Sequence, residues 1–382
     1  MQKYDYIISG VGASGLILAY QMILDSFFDT KNILLIDKKT EYSNDRTWCF
    51  WEKDIGVWSE VVSKEWDTIY FGSNDFSKEM QISPYQYKLI RSKDFYDFVI
   101  NVLEGKSNVT FVKEEVVSLK ERAGLVQVKT NSKVFFGDKV FNSILLSQEY
   151  KAQTKYPVLN QHFVGWFVKT KKPCFDKNVA TFMDFAVEQK ENTRFMYVLP
   201  ISETEALFEY TLFSESLLKK EEYEEEIVKY LQKKGIADYV ITETEKGCIP
   251  MTCYDFRKQN SKSILHIGTA GGWTKPSTGY TFNNAIKNSK KLISYLKNNT
   301  DLSAFGKRTR FWYYDVLFID VLYRENAIGS FLFTSLFKKN RSSRILKFLD
   351  EETTIFEEFS IIVSLPPLKF LKALWKRVFK NN

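Results

Sequence analysis

The chain has 382 residues, 44% hydrophobic and 26% charged, enough for about two domains with a substantial core. A net charge of +7 without any nucleic-acid-binding motif argues against a nucleic-acid partner. Four cysteines (Cys49, Cys174, Cys248, Cys253) with no C-x-x-C pair, and only two histidines, argue against a zinc site or disulfide framework and suit a reducing cytoplasm.

The N-terminus, MQKYDYIISGVGASGLILAY, sets a lysine before an apolar run as a signal peptide would, but Asp5 and the glycine spacing argue against one. YDYIIS (4–9), GVGASG and the apolar LILAYQMIL read as strand, glycine turn and helix. NILLID (32–37) reads as a second buried strand, so the chain opens on a βαβ unit and a parallel sheet. Ser92 is placed to cap a helix over 93–104, and NVTFV (108–112) reads as a strand. The segment from Glu115 to Phe141 alternates like hairpins, and VFNSIL (140–145) returns as a buried strand.

From His162 to Cys248 the pattern changes. HFVGWFVKT, ATFMDFA, RFMYVLP and ALFEYTLF are short strands between turn residues, as in a mostly antiparallel sheet. A helix near 217–234 follows, with five glutamates toward its start and Lys233 and Lys234 at its end; this suits the helix dipole and a solvated face. SILHIGTAGG (263–272) is a strand running into glycines, TFNNAIKNSKKLISYLK a helix, and 303–382 helical throughout. No uninterrupted apolar stretch reaches about 18 residues, which argues against a spanning helix. The aromatic fraction of 16% leaves two readings open, an aromatic core or a large apolar ligand cavity.

Gly10-x-Gly12-x-x-Gly15 lies between strand and helix. The first glycine permits a tight turn, the second lets backbone approach a pyrophosphate, and the third allows close helix–strand packing. Asp37 ends the second strand, where an acid accepts from ribose hydroxyls. The position at the extreme N-terminus and the later strand–glycine element near 268–272 favour FAD over NAD.

ALFEYT places Glu209 inside a strand, although carboxylates are depleted in strands and costly to bury unpaired. Alternation puts Leu207, Glu209, Thr211 and Phe213 on one face and Phe208, Tyr210 and Leu212 on the other. The residues alone leave open an edge or ion-paired glutamate and a functional acid.

NDRTWCFW (44–51), YVLPISETEALFEYT (197–211), EKGCIPMT (245–252) and IGTAGGWTKPSTGY (267–280) occur in the order found in flavin-dependent lycopene β-cyclases of carotenoid-making bacteria, which the chain resembles over essentially its whole length. The resemblance implies an α/β fold like p-hydroxybenzoate hydroxylase and geranylgeranyl reductase. A doubly wound FAD domain (1–155 and 255–300) would carry an antiparallel substrate sheet (156–254) and a C-terminal helical cap (301–382). It implies acid-initiated cyclisation of lycopene through γ-carotene to β-carotene, an isomerase reaction without net redox change. Reduced FAD would be required, with NAD(P)H as electron donor. Gly10, Gly12, Gly15 and Asp37 would bind FAD, Arg46 would contact its phosphate or ribitol, and Gly271, Gly272, Pro276 and Gly279 would approach the flavin. The Gly-Asp usual after this strand in other flavoproteins is Gly268-Thr269 here, so only a hydroxyl is offered to the ribitol.

In the family a glutamate in an apolar-Glu-x-Thr strand is the candidate acid, and Glu209 matches it. A desolvated carboxylic acid keeps its proton for donation to an alkene. Aromatic faces and an anionic reduced flavin would stabilise the resulting cation. FLDEET (348–353) looks like the acid motif of the plant enzymes, but it follows the flavin segment and reads as a cap element, so Glu351 and Glu352 are set aside. The rival readings are an FAD-dependent isoprenoid reductase or hydroxylase and a non-catalytic carotenoid-binding protein.

The tail, LPPLKFLKALWKRVFKNN (365–382), would form a helix with Leu371, Leu374, Trp375 and Val378 as an apolar stripe and Lys369, Lys372, Lys376 and Lys380 opposite. Such a helix suits an anionic membrane surface or docks on the cap. The first use would make the protein cytoplasmic and peripheral to the inner face of the cell membrane.

Overall fold

A computed structural model describes residues 3–39 and 41–379. The strand Lys3–Ser9, the helix Ala13–Ile23 and the strand Ile33–Asp37 form the expected βαβ unit, and Ile7, Ile8, Leu34, Leu35 and Ile36 are fully buried. Such unbroken apolar runs belong to parallel strands covered on both faces. Lys3–Ser9 pairs in parallel with Ile33–Asp37 on one side and Val134–Asn142 on the other. The short strand Ile264–His266 returns to pair with Val134–Asn142, which brings the second glycine segment back to the first. One face is covered by the helices Ala13–Ile23, Ser92–Glu104 and Phe282–Leu296. The other is closed by the curled meander of Val116–Arg122 and Leu125–Thr130, whose valines pack with Ile7, Leu34 and Ile36.

Ser92 does not cap its helix. Its hydroxyl accepts the Arg46 N–H at 3.0 Å and donates to the Ser43 carbonyl at 3.0 Å, so it ties down the loop after the second strand.

The second sheet runs in the order Tyr239–Met251, Leu159–Thr170, Glu205–Ser214, Thr193–Pro200, Val179–Asp184, Thr68–Gly72, Ser77–Gln81. Its first five strands are antiparallel neighbours, while the two from 68–81 come from the N-terminal third of the chain and join through a parallel pairing. A three-stranded sheet (Thr47–Glu52, Gln86–Arg91, Val62–Trp66) completes the strands.

Alternation divides the faces of this second sheet. Phe208, Tyr210 and Leu212 pack under the helix Lys220–Lys233, whereas Leu207 and Phe213 face the C-terminal helices, as expected from period-two side-chain placement. The cap interface is aromatic: Phe71 stacks on Phe337 at 4.3 Å and Phe185 on Phe333 at 5.4 Å, with Phe182, Phe195 and Phe213 beside them. Fully burying side chains of this size contributes about 1.5–3 kcal/mol each, so these aromatics serve as core. Among the described residues no helix is long and apolar enough to cross a membrane.

Candidate active site

The glycine turn is built as its spacing requires. Gly10 has φ +86°, a conformation that L side chains rarely adopt, and a Cβ on Gly15 would stand 2.2 Å from the Gly10 carbonyl oxygen. Beside Gly12 there is open space, with no atom within 4 Å of where a Cβ would be. No side chain caps the helix Ala13–Ile23, and no acid stands in its first turn. An uncapped helix start facing free space fits a pyrophosphate. The Asp37 carboxylate accepts the N–H groups of Val11 (2.5 Å) and Lys39 (2.8 Å), which holds it against the same turn.

The second glycine segment closes on the first: a Cβ on Gly268 would stand 2.7 Å from the Ser14 hydroxyl. Thr269 joins a hydroxyl chain with Thr274 (3.0 Å) and Thr281. Gly271, Gly272 and Pro276 line a cleft of about 910 Å³ between this segment and the cap, together with Lys275, Arg308 and Trp312. Within it, buried Lys275 is paired to Asp315 at 3.1 Å. Gly279 (φ +74°) turns away from that cleft and packs on the second sheet, where a Cβ would meet Gln161. Arg46 is exposed and donates to the carbonyls of Asp45 and Lys246, beside the second sheet. The expected cofactor residues thus run from the glycine turn to the sheet, and Glu209 does not line the cleft.

Across the second sheet, register aligns Glu245, Gly165, Glu209 and Tyr197 on four adjacent strands. Directly paired residues share a face, here the one carrying Leu207 and Phe213. Glycine inside a strand marks a place where something approaches closely. A Cβ at position 165 would lie 3.1 Å from Glu245 Cγ and 3.5 Å from Glu209 Cβ, so the glycine leaves the gap across which the two carboxyls come within hydrogen-bonding reach.

Burial, then the facing Glu245 carboxyl, push Glu209 well above the ordinary carboxylate range. The Thr211 hydroxyl, donating to Oε1 at 2.8 Å, opposes this without cancelling it. Burial also raises Glu245, but its anion is favoured by the Thr47 hydroxyl, which donates at 2.7 Å, and by the charges of Arg91 and Arg46. Glu209 makes no ion pair among the described residues, so within the couple the proton belongs on Glu209 and the charge on Glu245.

Around the pair stand Cys49, Tyr87, Tyr197 and Tyr280, all pushed up chiefly by burial and therefore neutral. Trp51 lies edge-on to Tyr280 at 5.0 Å, and Phe182 stacks on Tyr280 at 6.5 Å, which makes an aromatic wall on the glutamate side. His162, between Ser214 and Tyr223, is pushed down to about 4, first by burial and then by Arg194, so the ring is uncharged near neutral pH and both its nitrogens are engaged. FLDEET lies at the end of the helix Ser342–Leu349, where Glu351 is paired with Lys275 and Glu352 with Lys287 and Lys53. Neither is a free acid.

The last helix, Pro367–Phe379, docks by its charged side: Arg377 binds Asp320 at 2.6 Å and Lys369 pairs with Glu325. Leu371, Leu374, Trp375 and Val378 point outward, and Leu368 is 79% exposed. The neighbouring helix Ile355–Ser364 also presents an apolar face, with Phe356 89% exposed beside Ile355, Phe359 and Val363. Lys380 lies outside the described residues.

Sequence reasoning missed Glu245, Gly165 and the tyrosines around them. Glu245 stood in EKGCIPMT without a role. Its signal was a glycine in the middle of HFVGWFVKT, but only register reveals which side chains flank that glycine.

Comparison with known proteins is consistent with this layout. A family model described as lycopene cyclase protein matches residues 5–375. The lycopene beta-cyclase of Pseudescherichia vulneris is 23% identical over 291 residues, 74% of this chain and 71% of that protein. That of Pantoea ananas is 23% identical over 299 residues, 76% of this chain and 74% of that protein. Among solved structures, a geranylgeranyl bacteriochlorophyll reductase-like protein from Thermoplasma acidophilum aligns with TM-score 0.57 at 12% identity over 100% of this chain and 98% of its own. The p-nitrophenol 4-monooxygenase of Pseudomonas putida aligns with TM-score 0.59 at 12% identity over 98% and 99%. At such identities the structures speak for the fold alone, that of flavin-dependent reductases and monooxygenases.

Proposed function

The chain belongs to the lycopene cyclase family, and on that premise we propose that it is a lycopene β-cyclase, an isomerase that closes the ψ-ends of lycopene to give γ-carotene and then β-carotene. The observation that carries this reading is the half-buried carboxyl of Glu209, held protonated on the sheet face that looks toward the cap and bordered by aromatic rings. Glu209 gives its proton to the terminal alkene, the chain closes on the tertiary cation, and loss of a ring proton completes each β-ring. Protons balance and no electrons are consumed.

Gly10, Gly12, Gly15 and Asp37 would hold the dinucleotide end of FAD, and Gly271, Gly272 and Pro276 its flavin end, while Gly279, packed on Gln161, would shape the turn toward the acid sheet, with Arg46 beside it. Reduced FAD, its electrons drawn from NAD(P)H, would supply negative charge in a water-poor site. Tyr197, Tyr280 and Trp51 exclude water and offer ring faces to the cation, each worth about 0.5–2 kcal/mol.

The substrate is a long hydrocarbon dissolved in bilayers. The outward apolar faces of the last two helices, flanked by exposed Lys372, support a peripheral seat on the cytoplasmic face of the cell membrane. Replacing Leu371 and Trp375 with glutamate should cut sedimentation with anionic vesicles about tenfold or more, given about 1.5–3 kcal/mol per buried side chain.

The central test is reconstitution with FAD, reductant and lycopene in liposomes, followed by pigment analysis. Cyclic carotenes without stoichiometric NAD(P)H oxidation are expected. Saturated or hydroxylated products formed with equimolar NAD(P)H consumption would replace this reading with that of a reductase or hydroxylase.

A further inference from the structure

On the cyclase reading, Glu209 must regain a proton after each ring, and two rings are made per lycopene. Glu209 itself lies in the interior of the sheet, two strands from the edge. Glu245 lies on the edge strand Tyr239–Met251, where Ile241, Thr242, Glu243, Thr244 and Lys246 are exposed and Glu245 alone of 241–246 is buried. It points inward over Gly165, and its outer oxygen accepts from Thr47. Arg91 crosses outside it to Glu243 and caps the Phe167 ring at 3.8 Å.

We propose that Glu245 is the proton-relay partner of Glu209: it takes a proton from water at the sheet edge and passes it across the Gly165 gap, reloading the acid between rings. This rests on the cyclase reading above. When Glu209 has given its O–H proton to the alkene carbon, two carboxylates face each other. Like charges at that separation raise the couple's affinity for a proton. The proton enters from solvent at the exposed edge strand, one residue from water on either side of buried Glu245; an O–H forms on Glu245, and that bond breaks as an O–H forms on Glu209. The ring C–H proton is released, so each ring takes up one proton and returns one. The other charged and titratable groups facing the couple are Arg46, Arg91, Glu243, Cys49, Tyr87, Tyr197 and Tyr280. Burial keeps the thiol and phenols neutral, and exposed Glu243 is paired with Arg91 on the outer side of the strand, which leaves Glu245 as the carboxyl that faces Glu209 and is able to cycle.

The experiment compares wild type, Glu245→Gln and Glu245→Asp, each loaded with FAD and given lycopene in liposomes. In Glu245→Gln, bound-flavin absorbance and KM should match wild type. Its turnover should fall about tenfold or more, within the range of a lost proton-transfer group. The high-pH limb of its profile should move to lower pH, because no facing anion keeps Glu209 protonated. Slow reloading should enrich γ-carotene over β-carotene, and Glu245→Asp should restore part of the rate. A second readout needs neither substrate nor cofactor. The infrared carboxylic C=O band of Glu209 should persist at pH 7 in wild type, vanish in Glu209→Gln, and titrate at lower pH in Glu245→Gln. Unchanged turnover with an unmoved pH limb in Glu245→Gln overturns the relay while leaving the cyclase reading intact. Absence of that band from wild type overturns the relay even if the variants do not fold. Wild type that makes no ring at all instead overturns the reading on which the relay rests.

Discussion

At the glycine turn the groups offered to a ligand are backbone N–H groups, whereas across the second sheet they are side chains from neighbouring strands. The turn depends on what is missing at Gly10, Gly12 and Gly15: space beside Gly12, contact at Gly15, a positive φ at Gly10. The glutamate row depends on register, since a slip by one residue would carry Glu209 to the face beneath the helix Lys220–Lys233. Both regions nevertheless share one device, a glycine whose absent side chain admits a neighbour, with Gly165 doing for two carboxyls what Gly15 does for helix and strand.

The comparison can be broken most forcefully at the acid. Glu209→Gln should lower ring formation by about 10²–10⁴-fold, the range for a positioned general acid, while flavin content stays at the wild-type level. Retained β-carotene output from that variant would move the chemistry elsewhere. Gly15→Val should do the reverse: the purified protein should carry almost no flavin, and its unfolding free energy should drop by about 1–3 kcal/mol from overpacking against Gly10. Gly165→Val should keep flavin but wedge the carboxyls apart, lowering turnover by about 10²-fold, as small displacements of catalytic groups do. A Gly165→Val enzyme as active as wild type would show that the two glutamates need not meet.

The smallest effect concerns stability. Folded Glu209 has a raised pKa, so well below its unfolded value of about 4.5 both states are protonated and the group costs nothing. As pH rises above that value, the unfolded chain releases its proton while the folded one keeps it, which favours unfolding until the folded pKa is passed. Glu209→Gln should therefore be more stable than wild type at pH 7–8, by about 1.4 kcal/mol for each tenfold difference in proton affinity between the folded and unfolded chain, with the gap closing toward pH 4. Thermal melts across that range give the sign directly.

Much of this was legible in the chain. The βαβ opening, the two glycine segments and the antiparallel sheet announce themselves through local spacing and alternation, because each is decided by residues close in sequence. Alternation also put Glu209 and Thr211 on one face correctly, and their side chains are bonded. What sequence could not deliver was the partner of Glu209, which comes from a strand 36 positions later and is set by pairing through Leu159–Thr170. The strands of 47–91 also escaped notice, since short aromatic runs such as TWCFWE lack a clean period. The tail was half legible. Its two-sided pattern is real, but the charged side rather than the apolar one faces the protein, because Asp320 and Glu325 wait there on and just after the helix Arg310–Arg324.

That arrangement gives the last helix opposite responses to ionic strength. Salt screens the charged contacts that hold it to the body, most of all the half-exposed Lys369–Glu325 pair, while apolar insertion into a bilayer is little weakened or even strengthened. In dilute buffer the helix is clamped as a fixed greasy rail. In concentrated salt the ion pairs weaken and the buried Ala373, with Phe370 packed on the core, is left to hold the helix, whose outer face would still favour lipid on the proposed membrane seat.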